Sequence, residues 1–198
     1  YKNFKPKRAD GKIDNFIAGY FQPGEDVNYI TLSMDGEDKQ TFAIIFHEYV
    51  HSILNTNFGK STIPPWFNEG LAEYYSTLEV NDGQKIKLGL PLGRHLSLLQ
   101  EQKLIPLSQL FAITNFQLHQ QGDHSRNIFY AESWALIHYL THTGKADELS
   151  EFFNAVIKGV APEKAFQDVF KTTYDKMEGE LRKYVAKSTF NYVEYTLK

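Results

Sequence analysis

Residues 42–54, FAIIFHEYVHSIL, place two histidines and a glutamate within an otherwise largely apolar stretch. On a helix His47 and His51 are four residues apart, so both imidazoles project from one face, one turn from each other. That spacing lets two ring nitrogens bind a single metal ion. Glu48 lies about 100° further around the helix, beside the metal position, where it can accept a proton from an activated water. The stretch therefore predicts two metal ligands and a general base.

Apolar residues surround these three polar side chains on the predicted helix. They are Phe42, Ile45, Phe46, Tyr49, Val50, Ile53 and Leu54. Because they occupy nearly every side of the helix, the pattern predicts that the helix is buried. A buried polar group without a partner costs on the order of 1–3 kcal/mol, and a buried charge costs more, so a divalent cation would suit all three groups.

A second apolar segment offers a third metal ligand. Residues 65–75, PWFNEGLAEYY, predict another buried helix, on which Glu69 follows His51 by eighteen residues. Two histidines and one glutamate leave the fourth position of a tetrahedral zinc site open for water, which is typical of a catalytic site. Glu73 lies one turn after Glu69, and we expect it to accept the outer N–H of a ligand histidine, with His47 as the first candidate. A surface carboxylate is the alternative interpretation of Glu73.

These segments together resemble the zinc-binding motifs of the gluzincin metallopeptidases. Residues 47–51, HEYVH, followed by residues 66–74, WFNEGLAEY, are most similar to bacterial peptidase MA-like domains. They are more distantly similar to the aminopeptidase N and thermolysin families. Looser similarity to the MA-like domains continues through residues 130–136, YAESWAL. The resemblance implies that Glu69 is the carboxylate ligand of Zn²⁺. It also implies a zincin-like α+β fold, with a small N-terminal sheet packed on the two site helices and a mostly helical C-terminal half.

The resemblance further implies a donor that stabilises the oxyanion formed during peptide hydrolysis. In the aminopeptidase relatives this donor is a tyrosine well downstream of the ligand glutamate. Tyr130, 61 residues after Glu69 and at the start of a predicted helix, is the best match. His119 and His124 are alternatives, because thermolysin-like enzymes use a histidine for part of this task, although the polar stretch around them predicts a loop.

The sequence indicates only part of how a substrate would bind. Zinc peptidases commonly hold an extended peptide against a sheet edge, and residues 27–32, VNYITL, are the candidate edge strand. The aminopeptidases carry a Gly-x-Met-Glu-Asn segment on this strand to anchor the free amine of the substrate. Residues 26–31, DVNYIT, lack it, which favours cleavage within a chain over removal of terminal residues.

A second pair of histidines has the same spacing as the first. His138 and His142 are also four residues apart on a predicted helix, but no glutamate follows His138, and the nearest preceding carboxylate is Glu132. We interpret the pair as core or solvated histidines, with a second metal site as the alternative. His95 stands alone and receives no role.

The composition limits the partners. The 198 residues carry a net charge of −3 without a basic tract, which gives a nucleic-acid partner no electrostatic support. The absence of cysteine excludes disulfides, thiolate nucleophiles and cysteine-ligated zinc. No apolar run approaches the length of a membrane-spanning helix. The resemblance implies a peptide or protein substrate and, because such domains are often exported from bacterial cells, it favours a periplasmic or secreted location.

The remaining pattern predicts one catalytic domain over residues 1–198, with the sheet and the site helices in 1–90 and a helical half in 91–198. A Pro-Gly turn and the Asn81-Asp82-Gly83 turn each predict a hairpin. Helices are predicted at 40–55, 65–77, 92–102, 108–111, 129–142, 146–158, 162–170 and 173–187, and a weak last strand at 190–197.

Two other functions stay open. The domain could keep the zinc helices as the scaffold of an inactive binding module, although an intact Glu48 argues against this, because a scaffold needs no base. It could also hydrolyse a non-protein amide, such as one in a cell wall.

Overall fold

A computed structural model describes residues 11, 19–22, 24, 29–32, 38–58, 63–81 and 84–197. In this part of the chain the strands are β1 (Gly19–Gln22), β2 (Tyr29–Leu32), β3 (Glu79–Asn81), β4 (Lys85–Leu88) and β5 (Val193–Thr196). The helices are α1 (Asp38–Phe58), α2 (Pro65–Tyr75), α3 (Gly93–Glu101), α4 (Leu107–Leu110), α5 (Asn115–Gln120), α6 (Asp123–His142), α7 (Ala146–Ile157), α8 (Pro162–Phe170) and α9 (Tyr174–Val185). The predicted α+β class, with small sheets and a mostly helical second half, is confirmed.

The strands form two small antiparallel sheets. In the first, β1 pairs with β2 so that Phe21 lies opposite Ile30, and both strands contact α1. In the second, β4 is central between β3 and β5, and Ile86 lies opposite both Val80 and Tyr195. Both predicted hairpins and the predicted last strand are therefore present. Residues 27 and 28 of the predicted edge strand lie outside the described residues.

Helix α2 lies between α1 and α6 and contacts both. Pro65 occupies its first turn, where a missing backbone N–H has no cost, and the adjoining Trp66 packs in the core with its ring centroid 5.0 Å from that of Phe111. Further along, a Cβ atom on Gly70 would lie 2.5 Å from the carbonyl oxygen of Ser133 in α6. Glycine therefore permits the close approach of these two helices.

The expectation that α1 is buried all round is wrong. Val50 and Leu54 are buried, but Phe42, Tyr49 and Ile53 are 56%, 55% and 43% exposed. These three lie at intervals of seven and four residues, so they form one stripe along the helix. Apolar residues on every side therefore did not mean burial on every side.

Most of the polar stretch at residues 118–125 is helical, although its composition predicted a loop. The hydroxyl of Thr114 accepts a hydrogen bond from the backbone N–H of Gln117, and the Gln117 side chain accepts one from the Thr114 N–H, which is a capping box at the start of α5. Consequently His119 belongs to α5 and His124 to the first turn of α6. Since α6 begins at Asp123, Tyr130 lies about two turns inside the helix, not at its start.

Among the described residues, none of the helices combines the length and apolar character needed to cross a membrane.

Candidate metal centre

Helices α1 and α2 bring His47, His51 and Glu69 to one point. The Oε2 atom of Glu69 lies 3.4 Å from Nε2 of His47 and 3.5 Å from Nε2 of His51. The two imidazole rings are nearly perpendicular, at 85°, with their centroids 4.8 Å apart. One ligand atom from each of the three residues lies within 4.8 Å of the others. The two histidines and the carboxylate that the sequence predicted as ligands are thus neighbours in space.

The donor set fits a divalent metal ion. Zinc binds nitrogen and oxygen at roughly 2.0–2.2 Å, so two ligand atoms at a tetrahedral angle are about 3.3–3.6 Å apart. The distances of 3.4 and 3.5 Å from Glu69 Oε2 fall in that range. This oxygen is buried and accepts no hydrogen bond from the described residues. A cation would satisfy it, and imidazole and carboxylate donors suit several divalent transition metals besides zinc.

The second ring nitrogen of each histidine faces an oxygen acceptor. Nδ1 of His51 lies 3.0 Å from Oδ1 of Asn68, and Nδ1 of His47 lies 3.5 Å from Oε1 of Glu73. When Nδ1 carries the proton, Nε2 presents its lone pair towards Glu69, as a metal ligand must. The structure therefore brings Glu73 near His47, and a hydrogen bond between them stays a prediction. The contact of Asn68 was not predicted, although its place directly before Glu69 was a usable signal.

Glu73 has two further neighbours that the sequence analysis missed. His95 Nε2 lies 2.9 Å from Glu73 Oε2, and Arg94 Nη2 lies 2.8 Å from the same oxygen. Burial acts to raise the pKa of Glu73, but the hydrogen bond from His95 and the nearby positive charges outweigh it and lower the pKa to about 2. Glu73 is therefore ionised at neutral pH. No sequence spacing links positions 73 and 95, so no signal pointed to this contact.

The charges of Glu69 and His51 each change the pKa of the other group. Burial alone would raise the pKa of Glu69, yet the adjacent imidazoles, His51 foremost, hold it well below the usual range. Burial likewise acts to lower the pKa of His51, but the Glu69 carboxylate overrides it and raises the pKa to about 9. A metal ion that bound His51 and Glu69 would therefore have to displace a proton from the imidazole, as is usual for histidine ligands.

Glu48 is buried beside this cluster. Burial raises its pKa, the neighbouring imidazoles of His47 and His51 lower it, and Glu69 raises it again. The net shift is upward, which moves the carboxylate towards the range that suits a general base. Strands β1 and β2 both contact α1, the helix that carries Glu48. The β1–β2 sheet therefore lies against the helix that carries the predicted base.

Tyr130 lies within electrostatic range of the carboxylates of Glu69, Glu73 and Glu48. Burial raises its pKa well above the usual value, and the negative charges of Glu69 and Glu73 raise it further. The phenol therefore stays protonated at neutral pH and can act as a hydrogen-bond donor. The alternatives His119 and His124 are both exposed, in α5 and in the first turn of α6.

The second histidine pair, His138 and His142 in α6, is poorly suited to bind a metal, because His138 has no free lone pair. Nδ1 of His138 lies 2.7 Å from the Tyr184 hydroxyl and Nε2 lies 2.8 Å from the Gly89 carbonyl, so both ring nitrogens are engaged. Burial lowers the pKa of His138 to about 4, so the ring is neutral. Nε2 of His142 lies 3.1 Å from the Tyr74 hydroxyl. These contacts favour the interpretation as core histidines over a second metal site.

Residues 41–161 match the family described as Protein of unknown function (DUF1570), and this match covers more than half of the chain. The chain therefore belongs to that family. The matched region includes His47, His51, Glu69 and Tyr130. Neither the curated proteins nor the solved structures include a match to this chain.

Proposed function

We propose that the protein is a zinc-dependent peptidase that cleaves within peptide chains by activating water. The observation that carries this proposal is the approach of Glu69 Oε2 to the Nε2 atoms of His47 and His51, at 3.4 and 3.5 Å. Three protein ligands leave one tetrahedral position open, which is the arrangement of catalytic rather than structural zinc. The position of Glu48 beside these ligands supports hydrolysis over simple metal storage. The proposal includes a zincin-like arrangement of the β1–β2 sheet on α1 and α2.

In the proposed hydrolysis, the metal ligands, Glu48 and Tyr130 have different roles. Zinc bound by His47, His51 and Glu69 would lower the pKa of water and polarise the scissile carbonyl. Glu48 accepts the proton of the attacking water and passes it to the leaving amine, since it lies beside the ligand cluster and has a raised pKa. In this proposal Tyr130, which lies within electrostatic range of Glu69 and Glu48, donates a hydrogen bond to the developing oxyanion.

An extended substrate would pair with an edge of the β1–β2 sheet. Within the described residues each of these strands has one strand neighbour, which leaves a free edge on each. Both strands contact α1, the helix that carries Glu48, so β2, the strand expected to hold the substrate, stays the candidate. The lack of an amine-anchoring segment supports endopeptidase activity over exopeptidase activity.

Digestion of unfolded casein and of a peptide library tests the proposal. The zinc-loaded protein should cut both at internal bonds, a chelator should abolish cleavage, and one equivalent of zinc should restore it. Peptidoglycan fragments are tested in parallel. If they alone are cleaved, the protein hydrolyses a non-protein amide, and if nothing is cleaved by the zinc-loaded protein, the peptidase proposal is wrong.

A further inference from the structure

Two residues at the start of α3 contact the carboxylate that faces a candidate zinc ligand. His95 Nε2 donates a hydrogen bond of 2.9 Å to Oε2 of Glu73, and Arg94 Nη2 donates one of 2.8 Å to the same oxygen. The other oxygen of Glu73, Oε1, lies 3.5 Å from Nδ1 of His47. A single carboxylate on α2 thus joins α3 to a ligand imidazole on α1.

The two donors differ in their exposure to water. Glu73 and His95 are both buried, whereas the Arg94 side chain is 68% exposed. Water competes for an exposed ion pair, so such pairs contribute little, whereas a buried carboxylate depends on its buried donor. The His95 ring also packs near the fully buried Trp134, with the centroids 5.8 Å apart. His95 is therefore the donor that fixes the orientation of Glu73.

The orientation of Glu73 controls the chemical state of His47. A carboxylate that faces Nδ1 favours the tautomer with the proton on that nitrogen, which leaves the lone pair on Nε2. Nε2 is the atom that lies 3.4 Å from Glu69 Oε2. If Glu73 rotated away, His47 could adopt the other tautomer or turn its ring, and either change would remove a ligand lone pair from the site.

We propose that His95 is a positioning residue of the metal centre, which acts through Glu73 to fix the tautomer and the orientation of His47. This inference rests on the proposed function, because it requires that His47, His51 and Glu69 bind a metal ion. Its consequence is that a side chain on a third helix, without contact to the metal, raises the zinc affinity of the site. Outer contacts of this kind typically change metal affinity by about 10–100-fold.

The test is the Zn²⁺ affinity of the metal-free protein, measured at one pH by competition with a chromophoric chelator. His95→Ala and His95→Phe both remove the donor, and His95→Phe keeps a ring beside Trp134. Each should weaken zinc binding about 10–100-fold. His95→Gln, whose amide N–H can replace the Nε2–H, should restore most of the affinity. The metal-free Tm of each variant is measured alongside, so that a loss of folding is recognised.

A double-mutant cycle separates an action through Glu73 from a general effect. In the Glu73→Gln background, His95→Phe should change the zinc affinity by less than about threefold, because the group through which it acts is already altered. His138→Gln is the control, since His138 is likewise a buried histidine that makes hydrogen bonds, but its partners are Tyr184 and Gly89. It should lower Tm and leave the zinc affinity unchanged.

The outcomes are distinct. If the wild type binds one zinc ion and His95→Phe keeps its affinity, or if the effects of Glu73→Gln and His95→Phe add, the inference is wrong while the proposed function stands. A fall in affinity for His138→Gln equal to that for His95→Phe would also overturn it, because the effect would then be general. If the wild type binds no zinc, the inference and the proposed function fail together.

Discussion

Nδ1 of His51 lies 3.0 Å from Oδ1 of Asn68, the residue that directly precedes Glu69 on α2. Helix α2 therefore has two roles at adjacent positions. Glu69 is a candidate metal ligand, and Asn68 orients the imidazole of His51 on α1. Both contacts depend on the register of α2 relative to α1. On its other side α2 approaches α6 closely at Gly70, one residue after Glu69, which fixes the position of α2 against α6.

Gly70→Ala should destabilise the protein. Its Cβ would lie 2.5 Å from the Ser133 carbonyl oxygen and 2.8 Å from Cγ1 of Ile137, and such overpacking typically costs about 1–3 kcal/mol. Alanine gains up to about 1 kcal/mol in helix propensity, which offsets only part of this cost. Urea unfolding measures the difference. Gly179→Ala in α9 is the control, because nothing lies within 4 Å of its Cβ position, and it should stabilise the protein. Equal stabilisation by both substitutions would contradict the packing argument.

Glu48→Gln should retain the metal and lose turnover. The substitution leaves His47, His51 and Glu69 in place but removes the base, and a general base typically contributes about 10²–10⁴-fold to the rate. Zinc content and peptide cleavage are measured on the same preparation. A variant that keeps its zinc and cleaves as fast as the wild type would show that Glu48 is not the base.

Tyr130→Phe should lower kcat with little change in KM. Removal of one oxyanion donor costs about 10²–10³-fold in kcat, because the lost hydrogen bond forms mainly in the transition state. Zinc content should not change, since the phenol is not among the three candidate ligands. The role would be wrong if KM rose while kcat stayed constant, which would indicate that Tyr130 contributes to substrate binding alone.

Glu132→Gln should stabilise the protein more at pH 8 than at pH 5. Burial raises the pKa of Glu132 to about 8, so the folded state keeps a proton that the unfolded state releases near pH 4.5. The contribution of the protonated Glu132 to the free energy of unfolding is complete below pH 4.5 and is lost as the pH rises through 8. Glutamine stays neutral at every pH, and its carbonyl can accept the Ile105 N–H that now donates to Glu132 Oε2.

Urea unfolding of both proteins at the two pH values measures this effect. The advantage of the variant should increase by roughly 2–4 kcal/mol between pH 5 and pH 8. An advantage that does not depend on pH would mean that Glu132 ionises normally in the folded protein.

The parts of the fold that the sequence predicted well have strong local signals. The helix at Pro162–Phe170 was predicted at both ends, because proline begins it and the apolar spacing continues to its last residue. The two helices of the candidate metal centre were predicted because a ligand spacing and a helical apolar pattern coincide there. The start of α2 at Pro65 is as predicted, and the other three ends differ by two or three residues, since Asp38–Phe58 and Pro65–Tyr75 replace 40–55 and 65–77.

Contacts that depend on tertiary packing were not predictable. Twenty-two residues separate His95 from Glu73, and they meet because α3 packs against α6 and α6 against α2. The exposure of Phe42 and Tyr49 depends likewise on which sides of α1 other elements cover. Helix α5 had a local signal in the Thr114–Gln117 capping box, but the polar composition of the stretch suggested a loop.

X-ray absorption at the zinc edge tests the central claim most directly, because it reports the ligands of the bound ion. We expect one zinc ion per chain, two imidazole nitrogens and additional oxygen donors at about 2.0–2.1 Å, and loss of the tightly bound ion in Glu69→Gln. A chain that retains no zinc, or a zinc ion with three or more imidazole ligands that survives Glu69→Gln, would contradict the claim that His47, His51 and Glu69 form a catalytic metal site.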